Sequence, residues 1–306
     1  MNRTRILFNI FLILLVSFIS YIIYLNYETL SKNLKLLMIK FKEPEIIIPY
    51  EKTKYHNNYN LLTVKETNNF KPQNMEDLKN IYYTVLNNGW DEFTFYCPKE
   101  YKNCANDVRK LANKDDYIVS LNNFVSPYNS YIRYNTLLTN ETEVYLTIEK
   151  LYTKDEIINI NNEINRIFKE LNISKDKNNK YNIKKIHDYL IENISYDENY
   201  TQNTETLSNK ASTALFDKIA LCSGYSDAFA LMLDKLNIPN FKVSNKDHVW
   251  NAIYIDNKWL HIDVTWDDDE KNKNNNYNFY LITTDELYEK DNDTHAFDRN
   301  LYLELK

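Results

Sequence analysis

The sequence predicts an α+β protein. A buried helix carrying a cysteine packs on an antiparallel sheet that supplies a histidine and an aspartate, and a small α+β module and an N-terminal transmembrane helix precede this core. Three observations lead there. Residues Ile6 to Leu25 form an uncharged apolar run of about 20 residues, the length that crosses a bilayer as a helix. From Cys222 to Leu236 the residues Cys222, Tyr225, Phe229, Met232 and Leu236 step by three and four along one stripe. From Asp247 to Thr265 two β-rich runs flank the dipeptide Asp256-Asn257. The chain accordingly divides into a short head (1–5), a transmembrane anchor (6–25), a stalk (26–60), an α+β module (61–150) and a C-terminal domain (151–306).

Composition excludes several chemistries. With only 2 glycines, Gly89 and Gly224, among 306 residues, the chain can form neither a phosphate-cradling glycine loop nor a G-x-S-x-G hydrolase elbow, because each needs two glycines within a few residues. Its 3 cysteines, at 97, 104 and 222, contain no C-x-x-C, which removes four-cysteine zinc sites, iron–sulfur clusters and thioredoxin-type pairs. A net charge of -6 argues against a nucleic-acid surface. At 43% apolar residues the chain can bury a sizeable core, and its length suggests about two domains.

The apolar run continues through Tyr21-Ile-Ile-Tyr24 without a small-residue cleavage site, so it reads as an uncleaved anchor. So short a head favours an inside N-terminus and an exported remainder, although Arg3 and Arg5 are balanced by lysines beyond the run. Leu30, Leu34, Leu37, Met38 and Phe41 then recur at helical spacing until Pro44 and Pro49, and residues 43–60 read as a tether. In the module the pattern predicts a helix from Met75 to Leu86, a turn at Asn87-Asn-Gly89 and a strand from Trp90 to Cys97. A helix from Pro98 to Leu111 follows, then strands near 128–138 and 143–151. Cys97 and Cys104 are either a local disulfide of an exported domain or two buried thiols. Cys222 is the thiol left over, a candidate for reactivity.

Cys222 opens a helix apolar on most sides and stopped by Asn237-Ile-Pro239. A helix N-terminus stabilises a thiolate through its unpaired N–H groups and its dipole. Gly224 leaves room beside the sulfur for another backbone or a substrate. Both Asp256 and Asn257 tolerate left-handed φ, so they suit a type I′ hairpin that pairs Ile255 with Lys258, Trp250 with Asp263 and His248 with Thr265. His248 and Asp263 then lie diagonally on one face, about 6 to 8 Å apart at Cβ, within hydrogen-bonding reach. Cys222, His248 and Asp263 are thus the candidate nucleophile, base and orienting carboxylate. His261 shares that face and competes as base, but it sits opposite Ala252 on the far side of Asp263 and reads as structural. His56, His187 and His295, in the tether, a helical run (181–192) and a polar tail, are expected to pack or face solvent. A metal reading of His261-x-Asp263 lacks a third ligand, and Asp267-Asp-Asp-Glu270 lacks the alternating spacing of a calcium loop.

The motifs Cys222-Ser-Gly-Tyr225, His248-Val-Trp-Asn251 and Trp259-Leu-His-Ile-Asp263-Val-Thr-Trp-Asp-Asp268 resemble the core of the bacterial transglutaminase-like superfamily, with Ile194-Ser-Tyr-Asp197 as its lead-in. Residues 277–282 with the later His295 look like its C-terminal extension. Leu221 and Asn257 depart from the family's usual small residue and glycine, and no upstream oxyanion donor is evident beyond the Cys222 backbone N–H. The resemblance implies a papain-like fold and a thiol enzyme that transfers or hydrolyses acyl groups at amide bonds of a protein, peptide or cell-wall peptide; the apolar run would anchor it in a membrane, and the residue spacings call for no cofactor or metal. The alternative is a non-catalytic surface or scaffold protein that keeps the fold.

Overall fold

The first element opens on the polar turn Asn2-Arg-Thr-Arg5 and is predominantly apolar from Ile6 onward. Helix α1 (Asn2–Leu25) runs for 24 residues, and its described side chains, at 8 and 10–25, are all exposed. The structure is a computed structural model that describes residues 2–32, 34, 45–49, 53–113, 116–200, 208–268 and 277–306. Among the described residues no helix is long and apolar enough to cross a membrane. Leu37, Met38, Phe41 and Pro44 of the expected stalk lie outside the described residues. The chain divides into two compact units, Met1–Ile47 and Ile48–Lys306. The α+β module and the C-terminal domain both fall within the second.

In that unit Asn74 caps α2 (Met75–Asn87) by accepting the Asp77 N–H, and Gly89 turns the chain at φ 70°. β1 (Glu92–Tyr96), β2 (Tyr131–Thr139) and β3 (Glu143–Lys150) form an antiparallel sheet in the order β1-β3-β2. Between β1 and β2 lie α3 (Cys104–Ala112) and α4 (Asp116–Phe124). The helix expected from Pro98 begins only at Cys104, because two successive turns, Tyr101 N–H to Pro98 O and Cys104 N–H to Tyr101 O, intervene. Cys97 and Cys104 are joined in a disulfide with a Cα–Cα distance of 5.6 Å.

The core that positions the site begins with α5 (Lys154–Glu170), entered through a Thr153/Glu156 capping box, and α6 (Asn179–Asn193). A short parallel pair, β4 (Ser195–Tyr196) with β5 (Ile219–Ala220), leads into α7 (Cys222–Lys235). A four-stranded antiparallel sheet follows: β6 (Asn240–Ser244), β7 (Val249–Ile255), β8 (Lys258–Ile262) and β9 (Tyr280–Ile282). Asp256 and Asn257 both take left-handed φ, 51° and 63°, and Ile255 pairs with Lys258. That turn fixes the register of β7 on β8 and therefore which face each side chain occupies. Residues 224–233 of α7 are all buried, with Phe229, Met232 and Leu233 packed among Ile253, Leu260 and Ile262 of the sheet.

A charged pair lies within this interface. Lys242 Nζ is 2.5 Å from Asp227 Oδ1, while Tyr152 Oη donates to Asp227 Oδ2 at 2.8 Å and accepts the Ala211 N–H. Both charges are buried, at 8% and 2% exposure, so removing one strands the other. Lys242→Met is expected to cost about 3–5 kcal/mol, and the double variant Asp227→Leu/Lys242→Met to recover part of it, as read from urea denaturation midpoints.

Candidate active site

Helix α7 starts at Cys222, whose N-cap Leu221 is extended and offers no side-chain cap. The first N–H groups of a helix have no intrahelical acceptor, so they face whatever sits beside the sulfur. Cys222 is partly exposed and is the free cysteine of the three. Its approach is fixed from behind: Leu221 N–H donates to Ser208 O at 2.8 Å, Asp197 N–H to Ala220 O at 3.0 Å, and Ser208 Oγ to Asp197 Oδ2 at 2.5 Å. Gly224 is where the turn at Ser208–Lys210 passes closest to the helix. A Cβ there would lie 2.7 Å from Ser208 O, 3.0 Å from Ala220 Cβ and 3.1 Å from Lys210 O. The space beside the helix is filled by another stretch of backbone. Gly224→Ala is therefore expected to cost about 1–3 kcal/mol by overpacking and to slow alkylation of Cys222. Urea denaturation and iodoacetamide labelling check the two effects.

His248 precedes β7, with its backbone N–H held by Asn245 Oδ1 at 2.9 Å and its ring stacked on Trp250 at a centroid distance of 5.6 Å. Nε2 lies 2.5 Å from Asp263 Oδ2. The Cys222 side chain is close enough to the same imidazole to raise its pKa. With Nε2 committed to Asp263, Nδ1 is the nitrogen left for sulfur. Asp263 ends β8 and caps the next helical turn, α8 (Val264–Asp267): its Oδ1 accepts the N–H groups of Thr265 and Trp266 at 2.9 and 3.1 Å. One carboxylate oxygen is thereby locked by backbone and the other is aimed at the base.

Sequence reasoning missed His295. Placed there in a polar tail, it is fully buried in the structure, with Nε2 2.9 Å from Asp263 Oδ2, Nδ1 3.0 Å from Asp291 Oδ2, and its ring stacked on Phe279 at 4.8 Å. Two histidines thus share one carboxylate oxygen. The available signal was Asp291 and His295 four apart, a spacing that a single turn of chain can close, as it does here.

The other histidines are satisfied elsewhere. His261 Nδ1 accepts the Trp250 indole N–H at 2.9 Å, which puts its proton on Nε2, facing Thr284 Oγ1 at 3.1 Å. Burial, and then the neighbouring His295 and Arg299 side chains, push His261 down to about 3, so it stays neutral. His187 Nε2 lies 3.0 Å from Asp267 Oδ2, and Asp267 Oδ1 accepts the Phe279 N–H. Tyr225 Oη donates to Asp268. Asp267 and Asp268 therefore tie helices and loops together, and 269–270 lie outside the described residues. His56 Nε2 is 2.6 Å from Glu66.

Electrostatics couple the central pair. Burial opposes a charged His248, yet the Asp263 carboxylate and then the Cys222 contact raise it to about 10. Burial likewise opposes a charged Asp263, and His248 and His295 nevertheless hold it at about 2. The protonated imidazole and the ionised carboxylate are the favoured forms. His248, Asp263 and His295 also bring three potential metal ligands within 4.8 Å of one another. Ligands of a tetrahedral ion at bond lengths of about 2.0–2.2 Å stand more than 3 Å apart. The contacts of 2.5 and 2.9 Å are instead those of hydrogen bonds, with Asp263 Oδ1 already occupied by backbone.

Residues 168–264 match the model of the transglutaminase-like superfamily, which contains both Cys222 and His248 and ends just past Asp263. Residues 168–264 form a transglutaminase-like core. Among solved structures, a TGase crystal structure is similar over 44% of this chain and 44% of its own, at 18% identity and a TM-score of 0.34. A proposed cysteine protease from Cytophaga hutchinsonii is similar over 44% of this chain and 62% of its own, at 15% identity and a TM-score of 0.27. The similarity spans less than two thirds of either structure. No curated protein matches the chain. The transglutaminase-like core presents its cysteine from a buried helix and its histidine and aspartate from an antiparallel sheet, the papain-like arrangement; His295 comes from beyond the matched segment.

Proposed function

We propose that this protein is a membrane-anchored thiol enzyme that attacks amide carbonyls through Cys222. The observation that carries the reading is the hydrogen bond of 2.5 Å between His248 Nε2 and Asp263 Oδ2, which leaves Nδ1 of the same ring for the Cys222 side chain. In the first step, with the Cys222 proton already resting on His248 Nδ1 as the imidazolium, the sulfur bonds to the carbonyl carbon. The oxygen becomes an oxyanion within reach of the free N–H groups at the start of α7. The imidazolium then returns its proton to the leaving nitrogen as the C–N bond breaks, so an amine departs and a thioester remains. Water or a second amine, deprotonated by His248, attacks the thioester and releases the thiol. Asp263 keeps a proton on Nε2 throughout and offsets the imidazolium charge. The partly exposed aromatic rings of Tyr196 and Trp266, 38% and 40% exposed, flank the cysteine and histidine, where a peptide would lie.

An electrophilic thiol probe tests the nucleophile directly. Cys222 should label much faster than an ordinary exposed cysteine at neutral pH, and His248→Ala should abolish the difference. Equal labelling in both proteins rejects the reading in favour of a non-catalytic scaffold. Comparing product release from peptide, isopeptide and glutamine-amide substrates then separates hydrolysis from amine transfer.

For location, we propose a single-pass anchor over 6–25 with the catalytic domain outside the cytoplasm and protein or cell-wall peptides as substrate. Two features support this: the exposed apolar side chains of α1 and the Cys97–Cys104 disulfide, a bond that persists in oxidising compartments. A membrane-impermeant maleimide applied to intact cells should label Cys222. Labelling only after lysis overturns the proposed orientation.

A further inference from the structure

The helix that presents Cys222 at its first residue carries Asp234 near its last, about 18 Å away at 1.5 Å per residue. Asp234 lines a separate cavity of about 520 Å³, a volume within the range of small-molecule sites. Two polar atoms of this cavity are buried without a hydrogen-bond partner among the described residues: Asp234 Oδ2 and Tyr128 Oη. Asp234 Oδ1 is already occupied by Asn240 Nδ2 at 2.9 Å, and the Ser126 side chain also stabilises the carboxylate. Tyr128 as a whole is only 5% exposed. Buried polar atoms are almost always paired, and an orphaned acceptor beside an orphaned hydroxyl marks a place built for something else. The walls are aromatic. Tyr55 packs on Tyr128 at a centroid distance of 4.4 Å, and Tyr59 is fixed by donating to Ile238 O at 3.1 Å.

From these features we infer a second binding site here, for a saccharide unit that bears an anionic group. A ligand hydroxyl can donate its O–H to Asp234 Oδ2, and a ligand oxygen can accept from Tyr128 Oη. Burial raises the Asp234 carboxyl to about 6, so it is an acceptor at neutral pH. The tyrosine rings suit the C–H face of a sugar ring. Lys54 and Lys235 line the same cavity and set the sign of the remaining group. Burial, together with the neighbouring charges of Lys175 and Lys54, lowers Lys235, so positive charge is crowded here and an anion relieves it. A cationic ligand would meet this repulsion at the entrance. A neutral sugar would leave it unrelieved.

Calorimetric titration of the full-length protein tests the site with glucuronate, galacturonate and glucose 6-phosphate against glucose, galactose and tetramethylammonium. At least one of the acids should bind saturably, at least about tenfold more tightly than its neutral parent. Tyr128→Phe, which removes one oxygen and keeps the ring, and Asp234→Asn should each weaken that binding by about tenfold, and the exposed Lys54→Gln should reduce the preference for the acid. Cys222→Ala should leave the titration unchanged, which separates this site from the reaction at the other end of the helix. Absence of binding by all three acids overturns the inference. So does equal binding of the neutral sugars, preferential binding of the cation, or an affinity indifferent to Tyr128→Phe and Asp234→Asn.

Discussion

Cys222→Ala should leave the fold intact and reduce amide cleavage or transfer by about 10⁴-fold or more, the scale on which a thiol or hydroxyl nucleophile is lost. The fold should survive because the side chain is partly exposed and the first turn of α7 is held by its neighbours. Leu221 N–H is bonded to Ser208 O, and residues 224–233 are packed against the sheet. Circular dichroism and the urea midpoint should therefore match those of the parent protein. Cys222→Ser is a sharper comparison. Its hydroxyl occupies nearly the same place and can hydrogen-bond to His248, but it gives up a proton far less readily than a thiol at neutral pH. It too should be nearly inactive. A variant at Cys222 that retained more than a small fraction of activity would mean that the reaction runs through another group.

How much of this was readable beforehand depended on distance along the chain. The two-residue turn with left-handed φ values set the register of β7 on β8 as expected, but the ladder ends at Asn251–Ile262. The expected pairs Trp250–Asp263 and His248–Thr265 do not form, because Asp263 leaves the strand to cap α8, and the His248–Asp263 contact is made just beyond the ladder. Cys222 was readable because a helix buried on most sides announces its start through spacing alone. His295 was not. It sits in an irregular segment, and only long-range packing against Phe279 and Trp266 brings it to Asp263. Helix α4 also escaped notice, because Tyr117, Ile118 and Val119 are residues that favour strands and tertiary packing overrode them. The role of Gly224 was half visible: scarcity of glycine pointed to a close approach, and only the fold revealed that Ser208 and Lys210, rather than a substrate, make it.

Asp263→Asn should be nearly as damaging as loss of the nucleophile, and the reason lies in which oxygen the backbone claims. The N–H groups of Thr265 and Trp266 both point at Oδ1, so an asparagine must place its carbonyl oxygen there and turn its NH₂ toward His248 and His295. An NH₂ cannot accept a hydrogen bond. His248 must then leave Nε2 bare and carry its proton on Nδ1, the nitrogen that faces Cys222, where it can no longer take the thiol proton. A drop of about 10⁴-fold is the expected size of such a tautomer error. The pH profile carries a second signature. In the parent protein Asp263 holds His248 in its protonated form up to about 10, so the proton destined for the leaving amine is present throughout the neutral range and is lost as pH rises through that value. The stability that His248 gains from this contact has the same sign: fully present below the ordinary imidazole value of about 6.5, and lost toward about 10. Without the carboxylate, burial acts on the imidazolium unopposed, and both the basic limb of activity and the alkaline loss of stability should move to lower pH. Rate profiles and urea midpoints for the parent and Asp263→Asn proteins measure both shifts. An unchanged basic limb would show that Asp263 serves the packing of the site and does not hold the charge of His248.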